Sequence, residues 1–351
     1  MRKALITGIL GQDGTYLARW LIAKDYEVHG MIRLPFSREE ERIRRRFTSE
    51  DLARLHFHTA ALEDPFSLAG LLRNSSPDEV YHLAGLSDSR QSFLVPEQTV
   101  QSITVGTLRI LEAGRFQNPA IRYFLASSCE IFGAPGHSPQ REDTPRQPLT
   151  PYGIAKQAAD NFARLYREKF NQFISVGILY NHESPLRPPN YLSRRVARAI
   201  AAIKKKKLQK LRLGDLQAQR DWCDARDVTQ GFWLALQAEH PDDFIFSSGA
   251  SRTVREFVEV AFAAAGLEAE AYIETDPASV PSSVTVGLCG DCAKAEKILG
   301  WKRRWDFSGM VGDLVQAELE DRPEIERANP HSSATVSGLR FGRLAGGAAD
   351  P

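Results

Sequence analysis

Along its first half the chain alternates short, almost wholly apolar runs with longer stretches whose apolar residues recur every three or four positions. The short runs "KALITGI", "EVHGMIR", "LHFHTAAL", "EVYHLAG" and "RYFLASSC" are bounded by turn residues and predict buried strands. Between them, "GTYLARWLIAKD", "PFSLAGLLRNSSP" and "TVGTLRILEAGRFQ" carry helical spacing. "PYGIAKQAADNFARLYREKF" predicts the longest helix of this half, and "FISVGILYNHESP" returns to strand. Strand and helix repeated in this order predict an α/β fold, a doubly wound parallel sheet with right-handed crossovers and helices on both faces.

After about residue 185 the texture changes. A proline-rich loop, "SPLRPPNYLS", leads to a basic amphipathic helix, "RRVARAIAAIKKKK", and then to "LRLGDLQAQRDWCDARDVTQGFWLAL", a short strand, loop and helix. The predicted organisation is a nucleotide-binding domain over 1–180 and a smaller α/β substrate lobe over 181–322, interleaved with the first. Residues 323–351 lack periodicity and are expected to form a flexible tail. The chain has no internal repeat.

Composition narrows the function classes. With 45 basic against 44 acidic side chains the net charge is +1, so no global field draws the protein to nucleic acid or anionic membranes. Lysines 204–207 have no aromatic platform beside them and read as a solvated helix end. No apolar run approaches the ~20 residues of a membrane span, and the first residues already read as a strand, so a cytoplasmic location is expected. The four cysteines are too scattered for a disulfide framework. Cys289 and Cys292 form a C-x-x-C without a second pair nearby, which points to packing rather than to metal.

Candidate chemistry begins at "ITGILGQDG". Gly8, Gly11 and Gly14 fall between the first predicted strand and its helix, the setting of a dinucleotide fingerprint and of a Rossmann-type domain. The second strand ends in Arg33, nineteen positions after Gly14, where a carboxylate would accept the ribose 2′-hydroxyl of NAD. A guanidinium suits a 2′-phosphate instead, so NADP is the expected cofactor. In "TPYGIAK", Tyr152 and Lys156 lie four apart on one helical face, where an ammonium is expected to lower the tyrosine pKa and make it a proton acceptor for an alcohol. "ASSCEIFG" adds two hydroxyls, a thiol and a carboxylate at a strand end.

With these motifs the chain resembles the extended short-chain dehydrogenase/reductases, and within them the GDP-mannose 4,6-dehydratases. The likeness runs to about Trp301 through "ALITGILGQDGTYLA", "PDEVYHLAGLS", "GTLRILEA", "ASSCEIFG", "TPYGIAK", "ILYNHESP", "LGDLQAQRDW", "TVREFVE" and "KILGWK". The resemblance implies oxidation of a nucleotide-linked hexose at C4, loss of water across C5 and C6, and hydride return to C6. It assigns Ser128, Cys129 and Glu130 to catalysis beside Tyr152 and Lys156. Ser128 would bond the C4 oxygen, Glu130 would take the C5 proton, and Cys129 would stand where the acid assisting departure of the C6 hydroxyl stands. It further implies cofactor contacts from Thr7, Gln12, Asp13, Leu62, Leu83, Ala84, Ser87, His182 and Arg187. Contacts to a GDP-linked sugar would come from Ser87, Asn181, Arg194 and Arg220, in a homodimer or homotetramer whose "RLPFSREEERIRRR" segment reaches a neighbouring subunit.

Three departures stand out. Ala61-Leu62 replaces the family's Asp-Leu pair that holds the adenine, and "DSRQSF" after "GLS" is bulkier and more charged than the usual small apolar stretch beside the sugar. Val280-Pro281 replaces an Arg-Pro that clamps the substrate diphosphate, with Ser283 where an acid is expected. A reductase or epimerase of a GDP-4-keto sugar needs only Ser128, Tyr152 and Lys156, and a silent NADP-binding regulator needs none of the catalytic set. Both stay open at this level, and Glu130 is the residue that separates a dehydratase from the first.

Overall fold

The computed structural model describes residues 1–275 and 287–329. The first half folds as β1 (Lys3–Thr7), α1 (Gln12–Ala23), β2 (Glu27–Ile32), α2 (Phe36–Arg44), α3 (Ser49–Leu52) and β3 (Leu55–Thr59). It continues as α4 (Pro65–Ser75), β4 (Glu79–His82), α5 (Ser89–Leu94), α6 (Pro96–Val100), α7 (Gly106–Gln117) and β5 (Arg122–Ala126). Then come α8 (Pro151–Phe170), β6 (Ile174–Leu179), β7 (Asn181–Glu183), α9 (Leu192–Lys204), β8 (Leu211–Leu213) and β9 (Gln219–Asp224). The remainder is α10 (Ala225–Gln237), β10 (Asp243–Phe246), β11 (Ser251–Thr253), α11 (Val254–Ala264), β12 (Ile273–Thr275), α12 (Ala293–Leu299), α13 (Phe307–Leu319) and α14 (Glu324–Arg327).

Seven strands form one parallel sheet in the order β10-β6-β5-β4-β1-β2-β3. Its inner strands are covered on both faces, which is why they read as continuous apolar runs rather than alternating ones. One face packs under α1 and α10 through Leu17, Leu21, Phe124, Phe232 and Phe246, and the other under α4, α7 and α8 through Leu68, Ile110, Tyr123 and Ala163. The chain leaves β1 for β2 on one side and returns to β4 on the other. This reversal opens a crevice at the carboxyl ends of β1 and β4, the place where such sheets bind ligands.

The second lobe has its own core, in which Val196, Ile200, Trp222, Phe257, Phe262 and Leu314 join α9, β9, α11 and α13. Small sheets β11-β9-β7 and β12-β8 complete it. The lobes interleave, because β10 comes from beyond the second lobe's first elements to finish the large sheet. The single strand expected over "FISVGILYNHESP" breaks at Tyr180 into β6 and β7, and β7 belongs to the small sheet. That break carries the chain from one lobe to the other directly above the crevice.

The expected tail is corrected at its start. Residues 324–327 form α14, Ala328 is fully buried, and the Tyr16 hydroxyl donates to the Arg327 carbonyl at 2.7 Å. Arg327 pairs with Glu318 at 2.7 Å, which fixes α14 to α13. Residues 330–351 and the departures at Val280, Pro281 and Ser283 lie outside the described residues. Among the described residues, no helix is long and apolar enough to cross a membrane and no cluster of side chains is arranged to hold a metal ion.

Candidate active site

The glycine loop is built around one tight turn. Gly8 has φ +76, in the left-handed region, and a Cβ on Gly14 would meet the Gly8 carbonyl oxygen at 2.4 Å and Ile9 Cα at 2.6 Å. α1 therefore starts against the turn, capped by Gly11 with no side-chain acceptor, and its first N–H groups are left for an anion. This cradle fits the pyrophosphate of a dinucleotide. Behind it, the Thr7 hydroxyl accepts from the Leu83 and Ala84 N–H groups, both at 3.1 Å, and so gives its own proton to His82 Nδ1 at 2.9 Å. Burial, and then the charge of Lys156, push the His82 pKa down to about 3, so this imidazole is neutral.

The proton-transfer groups meet where β5 ends against the first turns of α8. Thr150 caps that helix, its hydroxyl accepting from the Gly153 N–H at 2.9 Å, and Pro151 fixes the first turn. Lys156 donates to the Ala126 carbonyl at 2.6 Å, and Asp160, one turn on, accepts from the Ser127 hydroxyl at 2.7 Å. Two residues of α8 thus hold the last residue of β5, Ala126, and the one that follows it, Ser127, which sets Ser128 beside Tyr152. Glu130 follows in a single 3-10 turn whose N-cap is Ser128. The Glu130 Oε2 accepts from the Ser89 hydroxyl at 2.6 Å and the Thr150 hydroxyl at 2.8 Å. Ser128, Glu130, Tyr152 and Lys156 are brought together here.

The electrostatics differ from the sequence expectation. Burial first, and then the Glu130 carboxylate, push the Tyr152 phenol well above its ordinary value, while the hydrogen bond with Ser128 pulls the other way. The Lys156 ammonium lies 5.7 Å from the Tyr152 ring centroid and is itself lowered to about 8, mainly by burial, with Asp160 opposing. In the protein alone the phenol keeps its proton. Cys129 is also pushed up, by burial and then by Glu130 and Asp221, and packs among Ile131, Phe132, Ile178, Tyr180, Ile245 and Leu288.

The other named residues divide into three groups. Gln12, Asp13 and His182 face one another: His182 Nε2 meets Asp13 Oδ2 at 3.0 Å, and its Nδ1 donates to the Tyr180 carbonyl at 2.7 Å. Burial opposes an imidazolium here, but Asp13 holds the His182 pKa raised. Gln12 donates to the His182 carbonyl at 3.2 Å and accepts from Ser184 at 2.8 Å. These side chains tie the glycine loop to β7, which leaves their backbone for any cofactor contact. Around the mouth, the Ser87 and Tyr191 hydroxyls lie 3.1 Å apart, Arg187 stacks 3.9 Å from the Tyr191 ring, and Asn181 opens β7. Arg220, on β9, is close enough to Cys129 and Glu130 for their charges to act against the burial that lowers its pKa.

Peripheral positions form the last group. Arg33 stands just past β2, its side chain 73% exposed, and pairs with Glu63 at 3.3 Å. Leu62 is buried against Gly106. The Arg194 guanidinium pairs with Glu318 at 2.6 Å and donates to the Arg187 carbonyl at 2.8 Å, which holds the loop that carries Arg187.

Sequence reasoning passed over Ser89, Ser92, Thr150, Asp160 and Tyr191. The polar run "DSRQS", set against an otherwise apolar approach to the sugar, was the one signal that pointed at the first two.

A family model described as GDP-mannose 4,6 dehydratase matches residues 5–314 of the chain. GDP-mannose 4,6 dehydratase 1 of Arabidopsis thaliana is 40% identical over 324 residues, covering 90% of each protein. The Homo sapiens GDP-mannose 4,6 dehydratase is 36% identical over 352 residues, covering 94% of this chain and 93% of the relative. Among solved structures, RMD from Pseudomonas aeruginosa complexed with NADPH is similar at TM-score 0.78 and 23% identity, covering 92% of this chain and all (100%) of that one. dTDP-glucose 4,6-dehydratase from Bacillus anthracis in complex with NAD is similar at TM-score 0.77 and 19% identity, covering 92% and 97%. At such identities the structures show a shared fold.

Proposed function

The chain belongs to the GDP-mannose 4,6-dehydratase family, and from that premise we propose that it is an NADP-dependent GDP-sugar 4,6-dehydratase, a hydro-lyase acting on GDP-mannose or a close relative such as a GDP-heptose. The observation that carries this reading is the carboxylate of Glu130, held by two hydroxyls beside Ser128 and Tyr152. A reductase or epimerase on the same scaffold has no use for a carboxylate fixed there.

In this proposal Tyr152 takes the proton of the C4 hydroxyl, with Ser128 bonding the same oxygen and Lys156 supplying positive charge nearby. The chemistry NADP supplies when bound is acceptance of hydride from C4 and its return to C6. The resulting C4 ketone acidifies the C5 hydrogen, and Glu130 removes it. The electrons of that C–H bond form the C5–C6 double bond as the C6 hydroxyl leaves, taking the proton from Glu130 to become water; with hydride returned to C6, C5 takes a proton back from solvent and Tyr152 releases the one it took, which closes the cycle. We assign that proton to Glu130 rather than to Cys129, because burial and the neighbouring Glu130 and Asp221 carboxylates push the thiol up and so hold its proton. By the family resemblance Asn181 and Arg220 would contact the sugar nucleotide, whose diphosphate needs guanidinium partners, and Arg187 the cofactor.

Mass spectrometry after incubating the enzyme with GDP-, UDP-, CDP- and dTDP-sugars tests the reading. The expected product is one water lighter than a GDP-hexose, formed without added NADPH because the hydride is recycled. A product that forms only with added NADPH and gains hydrogen makes the protein a reductase.

NADP over NAD rests on Arg33. Its pairing with Glu63 is exposed and weak, so it yields readily to a phosphate. Arg33→Ala should weaken NADP binding roughly ten- to hundredfold, the worth of a charged hydrogen bond, and leave NAD binding nearly unchanged. Calorimetric titration with both cofactors decides; equal weakening removes Arg33 from the 2′-phosphate.

We further propose a homodimer or homotetramer in the cytoplasm. Phe93, Leu94, Ile154, Leu165 and Phe170 are exposed apolar side chains on α5 and α8, an apolar face suited to a second copy. The cysteines, all unpaired, suit a reducing compartment. Leu94→Asp, at a side chain 82% exposed, should shift sedimentation toward the monomer; an unchanged profile places the interface elsewhere.

A further inference from the structure

The six residues of α5 touch both halves of the proton-transfer machinery. Asp88 caps the helix by accepting from the Arg90 and Gln91 N–H groups, and its other oxygen accepts from Asn190 at 3.3 Å, across the crevice. Ser89 and Ser92 are three apart and therefore share a face. The Ser92 hydroxyl, 1% exposed, accepts from the Tyr152 N–H at 3.2 Å and donates to the Ser89 carbonyl at 2.6 Å. The Ser89 hydroxyl spends its one proton on Glu130 Oε2. Thr150 does the same from the opposite side, since its oxygen already accepts from Gly153.

Two donors on one carboxylate oxygen fix a side chain that otherwise rotates about three bonds. Oε1 stays outside this pair of hydrogen bonds and is the oxygen left to accept a proton. We propose that Ser89 is the positioning residue of the proton-removing carboxylate: with Thr150 it anchors Glu130 Oε2 and so aims Oε1 at the C5 hydrogen of the sugar. This rests on Glu130 being the base, as proposed above. In this proposal Ser89 acts through Glu130, and it falls in the polar segment where an apolar wall was expected.

The test compares full-length wild type, Ser89→Ala, Ser89→Thr and Glu130→Gln on GDP-mannose with hydrogen or deuterium at C5. A misplaced reacting group costs up to about a hundredfold in rate. With Thr150 still in place, Ser89→Ala should lower kcat roughly tenfold, leaving KM and the melting temperature unchanged. Because the loss falls on one step, the isotope effect on kcat should rise above that of wild type, and Ser89→Thr should restore both. A normal kcat in Ser89→Ala, or a loss with no larger isotope effect, overturns the proposal. If Glu130→Gln turns over like wild type, or wild type dehydrates no GDP-sugar, GDP-mannose and GDP-heptose included, the dehydratase reading itself fails and the proposal falls with it. If Glu130→Gln stalls while Ser89→Ala is normal, Ser89 alone is wrong.

Discussion

Tyr152→Phe should lower kcat by about 10²–10⁴-fold, the range expected when one proton-transfer group is removed, with the fold and cofactor binding intact. The ring packs against Ile103, Ala155 and Ala159 at the buried start of α8, and phenylalanine fills the same space. What it lacks is the hydroxyl that shares a hydrogen bond with Ser128. That hydroxyl is protonated in the protein alone, since burial and Glu130 outweigh any pull from Lys156. In the proposed reaction the phenol must therefore lose its own proton before it can take that of the C4 hydroxyl, with bound cofactor and substrate supplying the charge that makes this possible. The absorbance of bound reduced nicotinamide after a single addition of GDP-mannose reads the oxidation step directly. Wild type should show a transient, and the Phe variant none. Turnover within a fewfold of wild type would remove Tyr152 from the chemistry.

The parts of this site legible in the sequence are those whose partners are close along the chain. Gly8, Gly11 and Gly14 serve one turn, and Tyr152 and Lys156 serve one helical face, so spacing alone exposes them. The five short strands predicted from β1 to β5 all lie in the parallel sheet, the edge strand β3 with the alternating pattern LHFHT, whereas the run over residues 173–185 divides between two sheets. Ser89 contacts Glu130 across 41 positions and Asn190 contacts Asp88 across 102, and no local pattern announces either pair. Arg194 shows the same limit: the family resemblance assigns it to the sugar nucleotide, while its ion pair with Glu318 of α13, 124 positions away, is invisible in the sequence. The tyrosine pKa departs from the sequence expectation for a related reason. An ammonium four residues away is visible in the sequence, whereas the burial that outweighs it is a property of the assembled site.

Asp243→Ala should cost about 3–5 kcal/mol of stability, the usual penalty for stripping one partner from a buried ion pair, against a total on the order of 5–15 kcal/mol. Asp243 opens the edge strand β10 and accepts from Arg146 at 3.0 Å, Arg164 at 2.7 Å and Arg167 at 2.8 Å. Arg146 is 7% exposed and in the variant would keep only Asp160, at 2.9 Å; Arg167, 19% exposed, would lose its carboxylate outright. Burial opposes ionisation of Asp243, but Arg167 and Arg164 overcome it and hold the carboxylate below its ordinary value of 3.8. A depressed carboxylate contributes stability that is present above the unfolded pKa and lost as pH falls through the folded one. Urea denaturation should therefore show the full deficit at neutral pH and a shrinking one below about pH 4, near the ordinary carboxylate pKa. A deficit under about 1 kcal/mol at neutral pH, the worth of an exposed pair, or one that persists unchanged in acid, would show that the three arginines are satisfied without it. The same substitution reaches the site. Arg146 anchors Asp160, Asp160 holds Ser127, and Ser127 precedes the Ser128 hydroxyl that meets Tyr152, so a loss of kcat in the still-folded variant should accompany the loss of stability.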